Sequence, residues 1–296
     1  MTAKDLTVCG APQGRPASDP LVVQDPEGVR FLQWCLPRLG MRWPGFRKVR
    51  KRVYRRLARR IKEIGLPGLA GYRAHLDAHA EEWAVLDGLC RIPISRFYRD
   101  RGVIRHLEEE VLPGLGTLAL SRNETELGCW SIGCAGGEEP YTLAILWHLG
   151  PGRRVPHLGL RILATDIDPE SLARARKACY PSSSVKDLPA VYREQAFVPT
   201  ARGWCLREAY REGVTFVEQD VRRAAPVGPF HLVLCRNVAF TYFDEARQRD
   251  VLRTIVARLI PGGALVIGRR ESLPPDAVGL EVWSAKFGIY RRSLTP

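Results

Sequence analysis

Several familiar signatures are missing from this chain of 296 residues. No stretch approaches the roughly 18 consecutive apolar residues of a membrane span, so we expect no membrane insertion. The first residues lack the charged and then apolar pattern of a secretory signal. None of the eight cysteines forms a C-x-x-C pair, and several lie within apolar runs. These absences predict a cytoplasmic protein with reduced, mostly buried thiols, and they argue against a disulfide framework or a zinc site.

Signs of hydrolytic or metal-dependent chemistry are missing as well. The six histidines are scattered along the chain, and no Ser-His-Asp set or metal-ligand cluster is visible. Each histidine is better explained as a surface or packing residue than as a ligand. We therefore predict no metal, and the chemistry has to come from other residue types.

Positive charge, in contrast, is abundant and is concentrated in one segment. The net charge is +13, but residues 47–62 (RKVRKRVYRRLARRIK) contain ten Lys or Arg and no acid, and without them the charge is +3. Val53, Leu57 and Ile61 form an apolar stripe at helical spacing. Because such dense charge is self-repulsive, we predict an acidic protein partner. Nucleic acid is the competing partner, although Tyr54 is the only aromatic residue of the run, which disfavours single-strand binding.

The chain divides into three parts by pattern. Residues 1–27 contain four prolines and little periodicity, which predicts a disordered N-terminal lead. Residues 28–115 have helical patterns throughout. Residues 116–296 alternate short apolar runs with helices and close on an apparent hairpin, LEVW to FGIYRR. We therefore predict an α/β fold, with a doubly wound, mostly parallel, Rossmann-like sheet preceded by a small all-α domain.

The segment WSIGCAGGEEPYTLAIL begins like a buried strand and ends like a helix. Gly133, Gly136 and Gly137 at this corner would let a ligand approach the backbone closely. A dinucleotide would place its pyrophosphate at the start of the helix, but Glu138 and Glu139 stand there and would repel a phosphate. The corner therefore predicts a neutral or cationic nucleotide-like ligand, and S-adenosylmethionine, with its sulfonium and amino group, fits.

Three further strand ends support this prediction. Asp166 ends the second strand, where a carboxylate can accept both ribose hydroxyls. Asp220 follows the third strand and is a candidate for the adenine amino group. Arg236 and Asn237 follow the fourth buried strand, and a charge in that place needs a reason. The alternative for Arg236 is an ion pair with a neighbouring acid, for example Asp220, whereas Asp168, which precedes a proline, is best explained as a helix cap.

Together these segments resemble a known family. GCAGGEEPYTLA, ATDIDPESLARARKACY, PFHLVLCRNVAFTYFD and LIPGGALVIGRRESL, with RIPISRFYRD before them, are similar to the chemoreceptor glutamate methyltransferases of the CheR type. The resemblance covers about residues 29–292. It implies a class I methyltransferase domain behind a helical domain, S-adenosylmethionine as the cofactor, and a chemoreceptor-like acceptor whose glutamate-rich helices face the basic helix.

The resemblance also implies the site residues. Arg99 and Tyr242 would be catalytic, with Arg99 positioning the acceptor carboxylate or the cofactor. A glutamate acceptor is already ionised at pH 7 and needs no general base. The implied cofactor-binding residues are Ser95, Arg99, Gly133, Ala135, Gly137, Glu138, Glu139, Asp166, Ile167, Asp220, Val221, Arg236 and Asn237.

The chain departs from the family pattern on the acceptor side. Pro93 replaces the usual asparagine, so the resemblance implies that one cofactor hydrogen bond is lost or replaced. One residue is inserted before Tyr242, and Arg269 and Arg270 replace the His-Ser of a G-H-S-E run. Residues 181–213, where the family often has a small β-subdomain that grips receptor tails, show no clear three-stranded pattern. Methylation of a small acid or of RNA is therefore an alternative, as is a cofactor-binding regulatory protein without turnover.

Overall fold

The computed structural model describes residues 25–294. The predicted disordered lead lies outside this range except for residues 25–27, which begin a helix. No helix among the described residues is long and apolar enough to cross a membrane. The described chain forms two compact units, residues 25–34 with 49–91 and residues 35–48 with 92–294. The predicted domain boundary at residue 115 thus differs from this grouping, because residues 92–115 belong to the unit that contains the sheet.

The N-terminal third is helical, as its periodicity predicts. Val53, Leu57 and Ile61 are fully or almost fully buried, so the apolar stripe of the basic segment forms part of the core of the first unit. Four of the helices lie in that unit and α2 lies in the second. The helices are α1 (Asp25–Cys35), α2 (Trp43–Phe46), α3 (Arg50–Glu63), α4 (Leu69–Ala78) and α5 (Glu82–Cys90).

A partly buried ion pair stabilises the helical unit. The Arg60 guanidinium donates to both carboxylate oxygens of Glu82 at 2.9 and 2.7 Å, and the Tyr72 hydroxyl donates to the same carboxylate at 2.8 Å. Glu82 is 3% exposed, and its pKa is lowered chiefly by the hydrogen bond from Arg60. Arg50 and Arg56 also make contacts within this unit, an ion pair and hydrogen bonds to backbone carbonyls. Part of the basic segment is therefore structural.

The second unit is built on a twisted sheet with flanking helices. Its helices are α6 (Arg101–His106), continued by a π-helical turn, then α7 (Leu112–Ser121), α8 (Glu138–Leu149), α9 (Pro169–Lys177), α10 (Ser182–Val185), α11 (Ala190–Ala196), α12 (Ala239–Tyr242) and α13 (Glu245–Arg258). Its strands are β1 (Glu126–Ile132), β2 (Gly159–Asp166), β3 (Cys179–Tyr180), β4 (Phe197–Thr200), β5 (Gly203–Leu206), β6 (Val214–Glu218), β7 (Phe230–Cys235), β8 (Leu259–Ile267), β9 (Leu280–Ser284) and β10 (Ile289–Arg292).

Seven of these strands form the main sheet, in the order β6-β2-β1-β7-β8-β10-β9. The first five run parallel, and β10 is antiparallel to both of its neighbours. The strand β7 is buried along its whole length, as expected for a strand covered on both faces. The predicted α/β class, the doubly wound sheet and the hairpin at its edge are confirmed. The strand order reverses between β1 and β7, which is where such sheets bind ligands.

The structure answers one question that the sequence leaves open about residues 179–206 and contradicts one expectation, that of no disulfide. A small antiparallel sheet of order β3-β5-β4 is present, although the sequence shows no clear three-stranded pattern, because its strands are too short to show alternation. A disulfide joins Cys179 of β3 to Cys205 of β5, across directly paired positions. The remaining described cysteines are free and buried, as predicted: Cys35, Cys90, Cys129, Cys134 and Cys235.

Two neighbouring arginines of α3 allow a matched test of the partly buried ion pair. Arg60→Ala leaves the buried Glu82 carboxylate without its charge partner, although the Tyr72 hydroxyl still donates to it, so we expect the free energy of unfolding to fall by about 1–3 kcal/mol. Arg59 is exposed, and Arg59→Ala should change it by no more than about 0.5 kcal/mol. Thermal and denaturant unfolding of both variants checks this, and equal losses would show that Arg60 does not stabilise the unit.

Candidate active site

The chain turns sharply where β1 ends and α8 begins. The backbone N–H groups of Gly133 and Cys134 both donate to the Thr165 carbonyl, at 2.8 and 3.1 Å, which wraps the loop around the end of β2. Gly137 precedes α8 with a φ of +86°, and a Cβ there would lie 2.9 Å from the Ala175 side chain. Only glycine fits this position. The corner therefore brings its backbone close to the carboxyl ends of the strands, as predicted.

Asp166 fixes this corner from the neighbouring strand. One carboxylate oxygen accepts a hydrogen bond from the Ala135 N–H at 2.7 Å, and the other accepts one from the Asp168 N–H at 2.9 Å. Burial raises the pKa of Asp166, and these backbone hydrogen bonds act in the opposite direction. Asp168 caps α9 by accepting from the Ser171 N–H at 3.2 Å, so its predicted capping role is confirmed.

The two adjacent glutamates of the corner have different environments. Glu139 accepts a hydrogen bond from the Ser131 hydroxyl at 2.9 Å, and it forms an ion pair with Arg236 at 3.0 Å. Glu138 is 8% exposed. Burial raises the pKa of Glu138, although a hydrogen bond from Ser95 partly offsets this effect. Glu139 is thus already engaged by the protein, whereas Glu138 is buried with far fewer partners.

Three buried acceptor atoms around this edge have no hydrogen-bond partner among the described residues. They are Oε2 of Glu138, Oε1 of Gln219 and Oδ1 of Asn237. A buried acceptor without a partner is costly, so this edge suits a ligand that donates hydrogen bonds. S-adenosylmethionine has donors in its amino group, ribose hydroxyls and adenine amino group, and its charge is complementary to a carboxylate. The residues therefore fit this cofactor and do not fit a phosphate.

Arg236 connects the corner to the loop before α6. Its side chain is 3% exposed and pairs with Glu139 and with Asp100, at 3.0 and 2.8 Å. It also donates to the Arg99 carbonyl at 3.0 Å. The sequence analysis gave an ion pair with a neighbouring acid as the alternative explanation of Arg236, and the structure confirms that Arg236 forms such a pair. The suggested partner, Asp220, is wrong, because the carboxylates of the corner and of the α6 loop take that place.

Asp220 is instead held by its own loop. Its carboxylate accepts from the Arg222 Nε at 2.9 and 3.1 Å and from the Arg222 backbone N–H at 2.9 Å. Val221 and Ile167 are half-buried at neighbouring strand ends. All three residues lie where the sequence predicts, at the carboxyl edge of the sheet. Their contacts with the cofactor stay a prediction.

The loop before α6 has strained backbone on both sides of Arg99. Tyr98 and Asp100 have φ values of +57° and +62°, in the left-handed region that non-glycine residues rarely adopt. Such strain is maintained only when the surroundings impose it, and it is concentrated at functional sites. The Arg99 guanidinium donates to the Ile94 carbonyl at 3.0 Å. Arg99 is therefore held in a defined place close to Arg236.

Tyr242 is placed by packing. Its ring lies 5.1 Å from the ring of Phe46, centroid to centroid, and its carbonyl accepts from the Arg42 N–H at 2.8 Å. Thr241, one position earlier, donates instead to the Glu271 carboxylate. The hydroxyl that reaches Glu271 therefore belongs to Thr241 and not to Tyr242. The catalytic role of Tyr242 stays a prediction.

Sequence reasoning missed Glu271 as a site residue. Its carboxylate accepts from the Asn237 N–H at 2.9 Å, from the Gly268 N–H, and from the Thr241 hydroxyl. These bonds hold Asn237 in a left-handed conformation with a φ of +59°. Burial raises the pKa of Glu271 despite them. The available signal was an acid four residues after the end of β8, at the same edge as the other strand-end residues.

The sheet order, the glycine corner and the unpartnered acceptor oxygens at the carboxyl edge of the sheet fit an S-adenosylmethionine-dependent methyltransferase. A family model described as "CheR methyltransferase, SAM binding domain" matches residues 94–287, and the chain belongs to this family. It is therefore an enzyme of the methyltransferase class with S-adenosylmethionine as its cofactor, which confirms the prediction from the sequence. The roles of individual site residues stay predictions.

The matches to similar proteins cover different fractions of those proteins. A "Probable chemotaxis protein methyltransferase" of Rhizobium etli is 32% identical over 76% of this chain and 85% of that protein. A "Chemotaxis protein methyltransferase" of Listeria monocytogenes is 34% identical over 68% of this chain and 74% of that protein. An uncharacterized 104.1 kDa protein of Rhodobacter capsulatus is 30% identical over 81% of this chain, which spans only 25% of that protein.

Glu138 allows a test of cofactor binding through pH. Because burial raises its pKa, the ionised form that attracts a cationic amino group is lost as the pH falls through this raised value. We expect cofactor affinity to weaken over that range. Glu138→Gln should lower affinity at neutral pH by about 1.5–3 kcal/mol, the value of a hydrogen bond to a charged group, and should flatten the pH dependence.

Calorimetric titration with S-adenosylmethionine at several pH values measures both effects. Glu170→Gln is the matched control, because Glu170 lies in the first turn of α9 and is exposed. This control should behave like the parent. If Glu138→Gln and the parent give parallel affinity curves, Glu138 does not bind the cofactor.

Proposed function

We propose that this chain methylates glutamate carboxylates of a chemoreceptor-like protein in the cytoplasm. The observation that carries the proposal is the buried edge of unpartnered acceptor oxygens, in a chain of the CheR methyltransferase family. The printed names of the Rhizobium and Listeria relatives, both chemotaxis protein methyltransferases, support the choice of acceptor.

The chemistry places a modest demand on the protein. When bound, S-adenosylmethionine supplies an electrophilic methyl group on a positively charged sulfur. A glutamate acceptor is already ionised, so no residue of the chain has to remove a proton. What the protein supplies is alignment and a water-poor environment. The sequence analysis likewise assigns no catalytic base.

Arg99 is the residue that we assign to the acceptor carboxylate. Its guanidinium can bind a carboxylate through two parallel hydrogen bonds. Its carbonyl is held by Arg236, and strained residues flank it. These contacts limit the freedom of Arg99, so less entropy is lost when an acceptor binds. Arg236 therefore acts as a positioning residue for Arg99.

The small sheet of β3, β4 and β5 also supports a receptor-like acceptor. The sequence resemblance associates a small β-subdomain in this place with the binding of receptor tails, and its apparent absence was a reason to keep other acceptors open. Its presence removes that reason. Methylation of a small acid or of RNA is left as an alternative that rests on the departures at Tyr242 and Arg269.

A turnover experiment tests the proposal. The purified protein is incubated with methyl-labelled S-adenosylmethionine and a chemoreceptor cytoplasmic fragment. We expect label on the protein as an ester that mild alkali releases, and its loss when the acceptor glutamates are replaced by alanine. Alkali-stable label, or label on added RNA, would contradict the proposal. Cofactor binding without transfer to any of these acceptors would favour a regulatory protein without turnover.

The exposed face of α3 is the second part of the proposal. Arg52, Arg55 and Arg59 are exposed, whereas Arg50, Arg56 and Arg60 have contacts inside the helical unit. The exposed set fits an acidic protein surface, and the charge density of the segment as a whole supports such a partner. Nucleic acid is the rival partner for this face.

Charge reversal restricted to the exposed residues separates these possibilities. The triple variant Arg52→Glu, Arg55→Glu, Arg59→Glu should raise the apparent acceptor KM and leave cofactor affinity nearly unchanged. Added salt should have the same effect on the parent, since exposed charges are screened within about 10 Å at 0.1 M.

The matched control replaces the same three arginines by lysine, which keeps the charge and should keep the parent KM. Loss of cofactor binding in the reversed variant would contradict a recruiting role. Tight RNA binding by the parent with a steep salt dependence, without binding of an acidic protein, would assign the face to nucleic acid.

A further inference from the structure

A second basic surface lies in the sheet-containing unit. It is a cavity of about 690 Å³ between α6 and the turn that joins β9 to β10, and we name it the α6 groove. Its volume falls within the range of about 300–1,000 Å³ that ligand sites occupy. The cations that line it include Arg101, Arg105, Arg269 and Lys286.

Most of the carboxylates in the α6 groove already have partners. Asp187 pairs with Arg96 at 2.8 Å, and Glu110 contacts the Nδ1 atom of His106 at 3.0 Å, which is an ion pair only when that histidine is protonated. Asp100 accepts from the buried guanidinium behind the loop. Glu109 and Glu110 are the carboxylates left to balance Arg101, Arg105, Arg269 and Lys286, so the lining keeps a surplus of positive charge.

The cations of the α6 groove, in contrast, are mostly unpaired. Across residues 25–294, the side chains of Arg101, Arg105 and Arg269 form no ion pair or hydrogen bond, and all three are exposed. Lys286 lies over the Phe287 ring at 5.2 Å. An arginine fork with no partner is suited to a carboxylate, which it can bind through two hydrogen bonds. The groove therefore has a surplus of carboxylate-binding groups.

The aromatic residues of the α6 groove do not suit a nucleic acid. Tyr98 is 6% exposed. The Phe287 ring is in contact with the ring of His106, at 5.0 Å between centroids, as well as with Lys286. Single-stranded binding usually requires open rings on which bases stack.

The α6 groove is adjacent to the active-site loop. Asp100 lines the groove and binds Arg236, which in turn binds Glu139 at the glycine corner. Arg99 immediately precedes Asp100 in the sequence, and its carbonyl accepts a hydrogen bond from the same guanidinium. A chain segment bound in the groove is therefore close to the residue that we assign to the acceptor carboxylate.

We propose that the α6 groove binds a glutamate-rich segment of the acceptor protein, with Arg101, Arg105 and Arg269 as its carboxylate-binding residues. The identity of the acceptor in this proposal rests on the proposed function. Arg269 stands where the family resemblance has histidine, so the groove also gives this chain a specificity determinant of its own. The exposed face of α3 and the α6 groove are separate binding surfaces in separate units.

A peptide-binding measurement tests the groove without methyl transfer. The probe is a fluorescein-labelled peptide of alternating glutamate and alanine, and its glutamine counterpart is the uncharged probe. The double variant Arg105→Glu, Arg269→Glu replaces attraction by repulsion at two places, so we expect about a tenfold loss of affinity or more. Cofactor affinity should not change, and the uncharged peptide should bind weakly to the parent.

The control is Arg154→Glu with Lys177→Glu, which makes the same change of charge at exposed positions outside the groove. Its peptide affinity should stay within about twofold of the parent. A milder double variant, Arg105→Gln with Arg269→Gln, serves if the reversed one fails to fold, and we expect it to lose at least about threefold.

Three results would overturn the α6 groove proposal. They are equal peptide affinity in the groove and control variants, equal binding of the glutamate and glutamine peptides, and an effect of the groove variants on a generic RNA probe alone. Failure of the proposed function has a different outcome. In that case the receptor fragment acquires no alkali-labile methyl group, while the glutamate peptide still binds and still loses affinity in the groove variants.

Discussion

The buried guanidinium of Arg236 is the interaction on which the active site depends. A charge removed from water is tolerated only if its partners compensate for the lost hydration. Glu139 and Asp100 provide that compensation from two different segments, the start of α8 and the loop before α6. Arg236 therefore fixes the glycine corner relative to the Arg99 loop, and it does so at the point where the strand order reverses.

This arrangement explains why adjacent glutamates serve different purposes. Glu139 neutralises Arg236 and is satisfied within the protein, whereas Glu138 keeps a buried oxygen without a partner. A site with unmet acceptors costs stability in the free protein, and a ligand that donates hydrogen bonds recovers that cost. The Nε donor of Arg236 is also buried without a partner, but the three unmet acceptor oxygens favour a cationic, donor-rich cofactor. Two acids at a helix start also agree with the helix dipole.

The sequence was sufficient to predict the sheet, the hairpin, the stripe of α3 and the cap of α9, because each follows from a local pattern. The carboxyl-edge residues could also be placed, since parallel strands end at one edge. The partners of Arg236 could not be predicted, because Asp100 is 136 positions away in the chain. The disulfide and the small sheet were missed for a related reason: β3 has two residues, too few for any periodic signal.

The departure at Arg269 has a physical explanation. The cofactor edge is built from buried groups with directional hydrogen bonds, and it tolerates little change. The surfaces that we assign to the acceptor consist of exposed arginines, on α3 and around the α6 groove, whose attraction for carboxylates acts over several ångströms in solvent. An arginine at position 269, where the family resemblance has histidine, can therefore change which acceptor binds. The hydrogen bond between Glu271 and Asn237 does not depend on that side chain and still holds Asn237 in place.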